Sequence, residues 1–111
     1  MKNKKKLDSF KAFYPYYLSE HLHPVCRCLH YIGSTLVILV AVYALATNQF
    51  MYLLLLPFIG YGFAWVGHFF VEKNRPATFT YPFYSLLGDW VMFKDFLTGQ
   101  LEKKLKLHNL D

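Results

Sequence analysis

The chain has 111 residues, enough for one domain and not for two. A hydrophobic share of 55% and an aromatic share of 20% stand beside only 17% charged residues, which excludes a disordered chain and argues against an ordinary soluble globule. The net charge of +5 comes from basic residues that flank apolar runs and form no continuous stripe, so anionic lipid headgroups rather than nucleic acid are the expected counter-charge.

Mean hydropathy is only +0.21, so the apolar residues must be concentrated in segments. The pattern predicts an all-α, small helical integral membrane protein, a single membrane domain over 1–111. Its centre is a two-span antiparallel hairpin, flanked by amphipathic or re-entrant helices.

Residues 1–9 read as a basic N-terminal tether, and 10–30 as an interfacial segment followed by a histidine loop. Phe10, Phe13, Tyr14 and Tyr17 share one helical face suited to the headgroup boundary, with Pro15 interrupting or starting a helix there. Pro24 suits the first turn of the next helix, so His21 and His23 lie on a loop able to bend back over the membrane rim. Cys26 and Cys28 are too close in sequence for a framework disulfide and point about 200° apart on a helix, so neither a disulfide nor a thiolate zinc site is expected.

The first span, 31–47, runs about 26 Å as a helix, and the second, 50–71, about 33 Å, against a hydrocarbon core of about 30 Å. Asn48 and Gln49 form a polar turn of the length expected between antiparallel helices. Pro57 and three glycines weaken the second span, but Gly60, Ala64 and Gly67 recur at helical spacing and allow close approach to the first. Residues 81–99 place Phe83, Leu86, Leu87, Trp90 and Leu97 together, while Asp89, Lys94 and Asp95 make the stretch costly as a third span, so an amphipathic or re-entrant helix is expected. Residues 100–111 form a basic C-terminal tail.

Lys2, Lys4, Lys5, Lys6, Lys11 and Arg27 precede the first span, Lys73 and Arg75 follow the second, and the turn between carries no charge. Both hairpin ends therefore face the cytoplasm, from the inner membrane if the protein is bacterial or the endoplasmic reticulum if eukaryotic.

His30 lies eighteen residues before Asn48 and His68 nineteen after Gln49, so in an antiparallel hairpin their depths differ by about 1.5 Å. Two imidazoles at matching depth, with His21 and His23 on the neighbouring loop, point to a metal site. A lone rim histidine more often bonds a carbonyl or a lipid phosphate, and the joint placement is what sets these apart. Glu72, four residues after His68, is placed to orient that imidazole or to bind metal itself, and otherwise pairs with Lys73 or Arg75.

The run Phe13-Tyr14-Pro15-Tyr16-Tyr17-Leu18-Ser19-Glu20-His21, then Pro24, Arg27, His30 and Gly33, followed by Gly67-His68-Phe69-Phe70-Val71-Glu72-Lys73-Asn74-Arg75-Pro76-Ala77, resembles a family of small membrane proteins long catalogued as a domain of unknown function. Its characterised fungal members are iron(II)-dependent 2-hydroxy fatty acid dioxygenases of phytosphingosine breakdown. The resemblance implies α-oxidation, in which a long-chain 2-hydroxy acid such as 2-hydroxypalmitate is cleaved with O2 between C1 and C2 to a fatty acid one carbon shorter. It also implies Fe(II) as cofactor, with the family's histidines falling on His21, His30 and His68 and its carboxylate on Glu72. His23 departs from the family pattern, which tends to show Asn before that proline, and is either incidental or a further ligand. Arg27 or Arg75 is then expected to pair with the substrate carboxylate, and membrane lipids to surround the hairpin.

Two other readings stay open at this stage. One is haem held by two histidines at equal depth; the other is a non-catalytic membrane scaffold or lipid-binding protein. A two-span hairpin also gains by self-association, so a homo-oligomer is an expectation.

Overall fold

In the computed structural model, which describes residues 7–110, Ser9 opens the first helix by accepting the Ala12 N–H on its hydroxyl at 3.2 Å. The tether expected over 1–9 falls largely outside the described residues. Helix α1 (Phe10–Ser19) runs through Pro15, which cannot donate to the preceding turn. Its aromatic face packs inward against protein: Phe13, Tyr17 and Leu18 are fully buried, and Tyr14 nearly so.

The cause lies in the C-terminal third of the chain. Helix α4 (Pro82–Leu97) and the short helix α5 (Leu101–Leu107), where a basic tail was expected, fold against α1. They bring Met92, Leu101 and Leu105 into one core with the α1 aromatics. Gly88 makes this approach feasible, because a Cβ there would lie 2.9 Å from the Tyr17 ring. The acidic residues that make 81–99 costly in lipid are paired inside this core. Asp95 accepts from the Tyr14 hydroxyl at 2.7 Å and Lys104 at 2.9 Å, with Lys94 at 3.1 Å, and Asp89 accepts from the Tyr17 hydroxyl.

The hairpin occupies the middle of the chain. Helix α2 (Pro24–Ala46) begins seven residues before the expected span, with Pro24 in its first turn and the His23 side chain accepting the Val25 N–H. Asn48, in the left-handed region at φ 56°, makes the turn. The second span is composite: a 3-10 stretch (Phe50–Leu55), the helix α3 (Leu56–Val66) with Pro57 in its first turn, and a π-helical end (Gly67–Glu72) closed by Lys73 at φ 59°.

Pro24–Ala46 and Phe50–Glu72 are long and apolar enough to cross a membrane, at mean hydropathies of 2.0 and 1.6. Leu39, Val42, Leu54 and Phe58 among others face outward from them, unlike the apolar face of a soluble core helix. Small residues set the pairing at two points, where a Cβ on Gly33 would lie 3.0 Å from Phe63 and one on Gly67 2.9 Å from the Cys26 sulfur, while Gly60 faces Val37 with ordinary room for a Cβ at 3.8 Å. All assigned secondary structure among the described residues is helical.

Candidate metal centre

Three histidines from three segments meet where α1 ends, α2 begins and the second span finishes. His21, His30 and His68 are buried, and one ring nitrogen of each lies within 4.8 Å of those of the others. The rings are nearly perpendicular in each pair, with centroids 4.4 to 5.1 Å apart.

Hydrogen bonds at the far side of each ring decide its chemistry. His21 Nδ1 lies 2.7 Å from the Tyr17 carbonyl, His30 Nδ1 lies 2.8 Å from the Cys26 carbonyl, and His68 Nδ1 lies 2.8 Å from Asn74 Oδ1. Asn74 in turn donates through Nδ2 to the Glu20 carbonyl at 3.2 Å, which points its amide oxygen at His68. All three partners are acceptors, so each imidazole carries its proton on Nδ1 and keeps a bare Nε2, and those of His21 and His30 face each other. The ring of His21 stacks on Tyr17 at 4.0 Å between centroids, and burial, followed by the neighbouring His30 and His68, holds its pKa well below the ordinary histidine value.

Neutral imidazoles with converging lone pairs are what a metal ion requires, and their Nδ1 hydrogen bonds are the supports that orient such ligands. For the His21–His30 pair the separation fits as well. Two nitrogens each about 2.1 Å from one ion and at right-angled to tetrahedral positions lie about 3.0–3.4 Å apart. His21 Nε2 and His30 Nε2 are 3.2 Å apart, and with both protons on Nδ1 no hydrogen bond joins them. The same closeness leaves no plane for a macrocycle between the rings, which removes the basis of the haem reading.

The other sequence-derived residues stand around this group rather than in it. His23 is exposed and caps α2. Glu72 accepts from the His23 backbone N–H at 2.7 Å, tying the end of the second span to the loop. Arg27 donates through Nη1 to the carbonyls of His21 at 2.8 Å and Leu22 at 2.9 Å, so it braces the loop that carries a histidine. Arg75 lies 5.1 Å above the Phe79 ring, exposed beside Lys73 in a shallow cleft.

Sequence reasoning missed Tyr17, Asn74 and Asp89. Tyr17 supplies both the carbonyl under His21 and the hydroxyl on Asp89, and its spacing four residues before His21 was the available signal. Burial pushes the Asp89 carboxyl up to about 6, although Tyr17 and His68 favour its charged form. Asn74 had no comparable signal, because its reach back to His68 depends on the left-handed turn at Lys73.

No curated protein and no solved structure matches the chain. Residues 7–101, which include all three histidines and every segment that supports them, match the family described as 2-hydroxy-palmitic acid dioxygenase Mpo1-like, and the chain belongs to that family.

Proposed function

We propose that this protein is an iron(II)-dependent dioxygenase of the membrane that shortens long-chain 2-hydroxy fatty acids by one carbon. The observation that carries the proposal is the convergence of three buried histidines, one ring nitrogen of each within 4.8 Å of the others, with every Nδ1 at hydrogen-bond distance from an acceptor. His21, His30 and His68 would hold the ion, and Fe(II) bound there supplies open positions for oxygen ligands and the redox chemistry that O2 demands.

The reaction balances with no further reagent. A 2-hydroxy carboxylate and O2 give the carboxylate one carbon shorter, CO2 and water; the C1–C2 bond breaks, and the substrate supplies all four electrons that O2 takes up. The site therefore has no need of a reductant or an oxidisable cosubstrate.

The chain's own residues account for the remaining requirements. The Nδ1 anchors hold the imidazoles neutral and aimed. Arg27 fixes the loop bearing His21, and Glu72 fixes the same loop from the other side. Arg75, exposed and held over Phe79, is a cation suited to draw in the substrate carboxylate. Two spans with both ends at the cytoplasmic face would keep the acyl chain in the bilayer while its head reaches the rim, as the placement of the basic residues favours.

Anaerobic purification with Fe(II), followed by O2 consumption with 2-hydroxy acids of graded length, tests the proposal. Near-stoichiometric iron, O2 uptake with 2-hydroxypalmitate and a product one carbon shorter by mass are expected. Folded, iron-loaded protein that consumes no O2 with any chain length would overturn it and leave the scaffold reading.

A further inference from the structure

Beside the histidine centre a cavity of about 350 Å³ runs along the hairpin, and its walls change character from one end to the other. His30, Ser34 and Asp89 line it together with Val37 and Ala64, while Gly60, Leu56 and Pro57 carry it toward the turn. Helix α4 supplies the third wall through Leu86, Asp89 and Trp90. His30 thus belongs both to the metal centre and to the cavity wall.

The helix pairing gives the length. Gly33 meets Phe63 and Val37 meets Gly60, so Pro57 stands level with a position about ten residues beyond His30 on α2. That distance is about 15 Å at the rise of an α-helix, the extended length of roughly twelve methylenes. The volume lies at the lower end of the about 300–1,000 Å³ common for small-molecule sites, too small for a two-tailed lipid and suited to one alkyl chain.

We infer that this cavity holds the single hydrocarbon tail of an amphiphile whose oxygen-bearing head lies at the three histidines, and that Gly60 and Val37 set the chain length accepted. The inference rests on the proposed dioxygenase reading for the identity of the head group, a 2-hydroxy carboxylate. Gly60 is the decisive position. A Cβ there has one neighbour within 4 Å, Val37 Cγ2 at 3.8 Å, so a larger side chain enters the cavity without displacing backbone. It would close the passage about seven residues beyond His30, or about 10 Å, which leaves room for roughly eight methylenes.

Gly60→Leu, and Val37→Phe from the facing helix as a second route to the same block, are compared with Gly62→Leu. Gly62 is on the same helix, has nothing within 4 Å of its Cβ position and lies outside this cavity, so it controls for loss of a glycine. Two readouts are taken on each protein: O2 consumption by the iron-loaded form with 2-hydroxy acids of 8 to 18 carbons, and direct binding of the same acids to the metal-free form by isothermal titration calorimetry. The expected result for both blocking variants is at least a tenfold loss of turnover and affinity with 2-hydroxypalmitate, with 2-hydroxyoctanoate retained and Gly62→Leu unchanged. Wild-type turnover with identical chain-length profiles in all variants would overturn the tail site and leave the dioxygenase reading standing. Absent turnover, with binding still sensitive to Gly60→Leu, would support the tail site and sink the dioxygenase reading. Binding indifferent to both blocking variants would overturn the tail site whatever the turnover.

Discussion

Asn74 accepts the Nδ1 proton of His68 at 2.8 Å, and its own amide nitrogen is committed to the Glu20 carbonyl at 3.2 Å. Because a carbonyl only accepts, Asn74 has one workable orientation, and that orientation fixes the tautomer of His68. The histidine on the second span is therefore aimed by the segment that follows α1.

Asn74→Ala is expected to lower metal affinity by about 10- to 100-fold with the helical content unchanged. Asn74→Asp keeps an acceptor for His68 and should lose less. Titration with Co(II), read by its visible absorption, measures both, and an affinity unchanged in the alanine variant would refute the orienting role.

His68→Ala should abolish iron retention and turnover of 2-hydroxypalmitate. His23→Ala should leave iron stoichiometry intact and cost about 1 kcal/mol through loss of the α2 cap. Metal content by mass spectrometry and melting in detergent separate the two effects; retained full activity in His68→Ala would sink the metal role.

The two arginines are expected to differ in kind. Arg27→Ala frees two loop carbonyls and should weaken metal binding, with KM little changed once iron is saturating. Arg75→Ala should raise KM several-fold at constant kcat, the behaviour of a residue that binds substrate equally before and during reaction. Steady-state kinetics at fixed, saturating iron distinguish these patterns.

Burial alone would push the Asp95 carboxyl up, but hydrogen bonds from Lys104, Tyr14 and Lys94 outweigh it and hold its pKa below the ordinary carboxylate value. Asp95 therefore contributes stability that is present above the unfolded carboxylate value and is lost as pH falls through the lower folded value. Asp95→Asn should be less stable by about 2 kcal/mol at pH 7, and the difference from the parent should shrink across that acidic window. Denaturation midpoints of both proteins between pH 2 and 7 provide the test; a constant difference would rule out the pairing as its source.

The hairpin was legible because length, apolarity and the uncharged turn at Asn48 and Gln49 are local properties. Counting from that turn also brought His30 and His68 together, although the second span departs from the α-helical rise in its 3-10 and π-helical stretches. Glu72 shows the limit of the same arithmetic: four residues make a face in an α-helix, but Gly67–Glu72 is π-helical, and a Glu72 carboxylate oxygen accepts from the His23 backbone. The burial of the α1 aromatics was not legible, because nothing in their spacing announces α4 and α5 as partners. Asp89 and Asp95 looked like an energetic penalty for the same reason, their tyrosine and lysine partners being distant in sequence.

The three Nδ1 anchors come from the end of α1, the start of α2 and the segment beyond the second span, and an ion bound to the three rings would act as a clasp across all of them. Without it, three lone pairs face one another in a buried space. An ion that binds only the assembled rim stabilises that rim by mass action. Iron loading would then be the step that finishes the protein's shape, and the state of the clasp would be legible from outside as protection of the His21 loop against proteolysis.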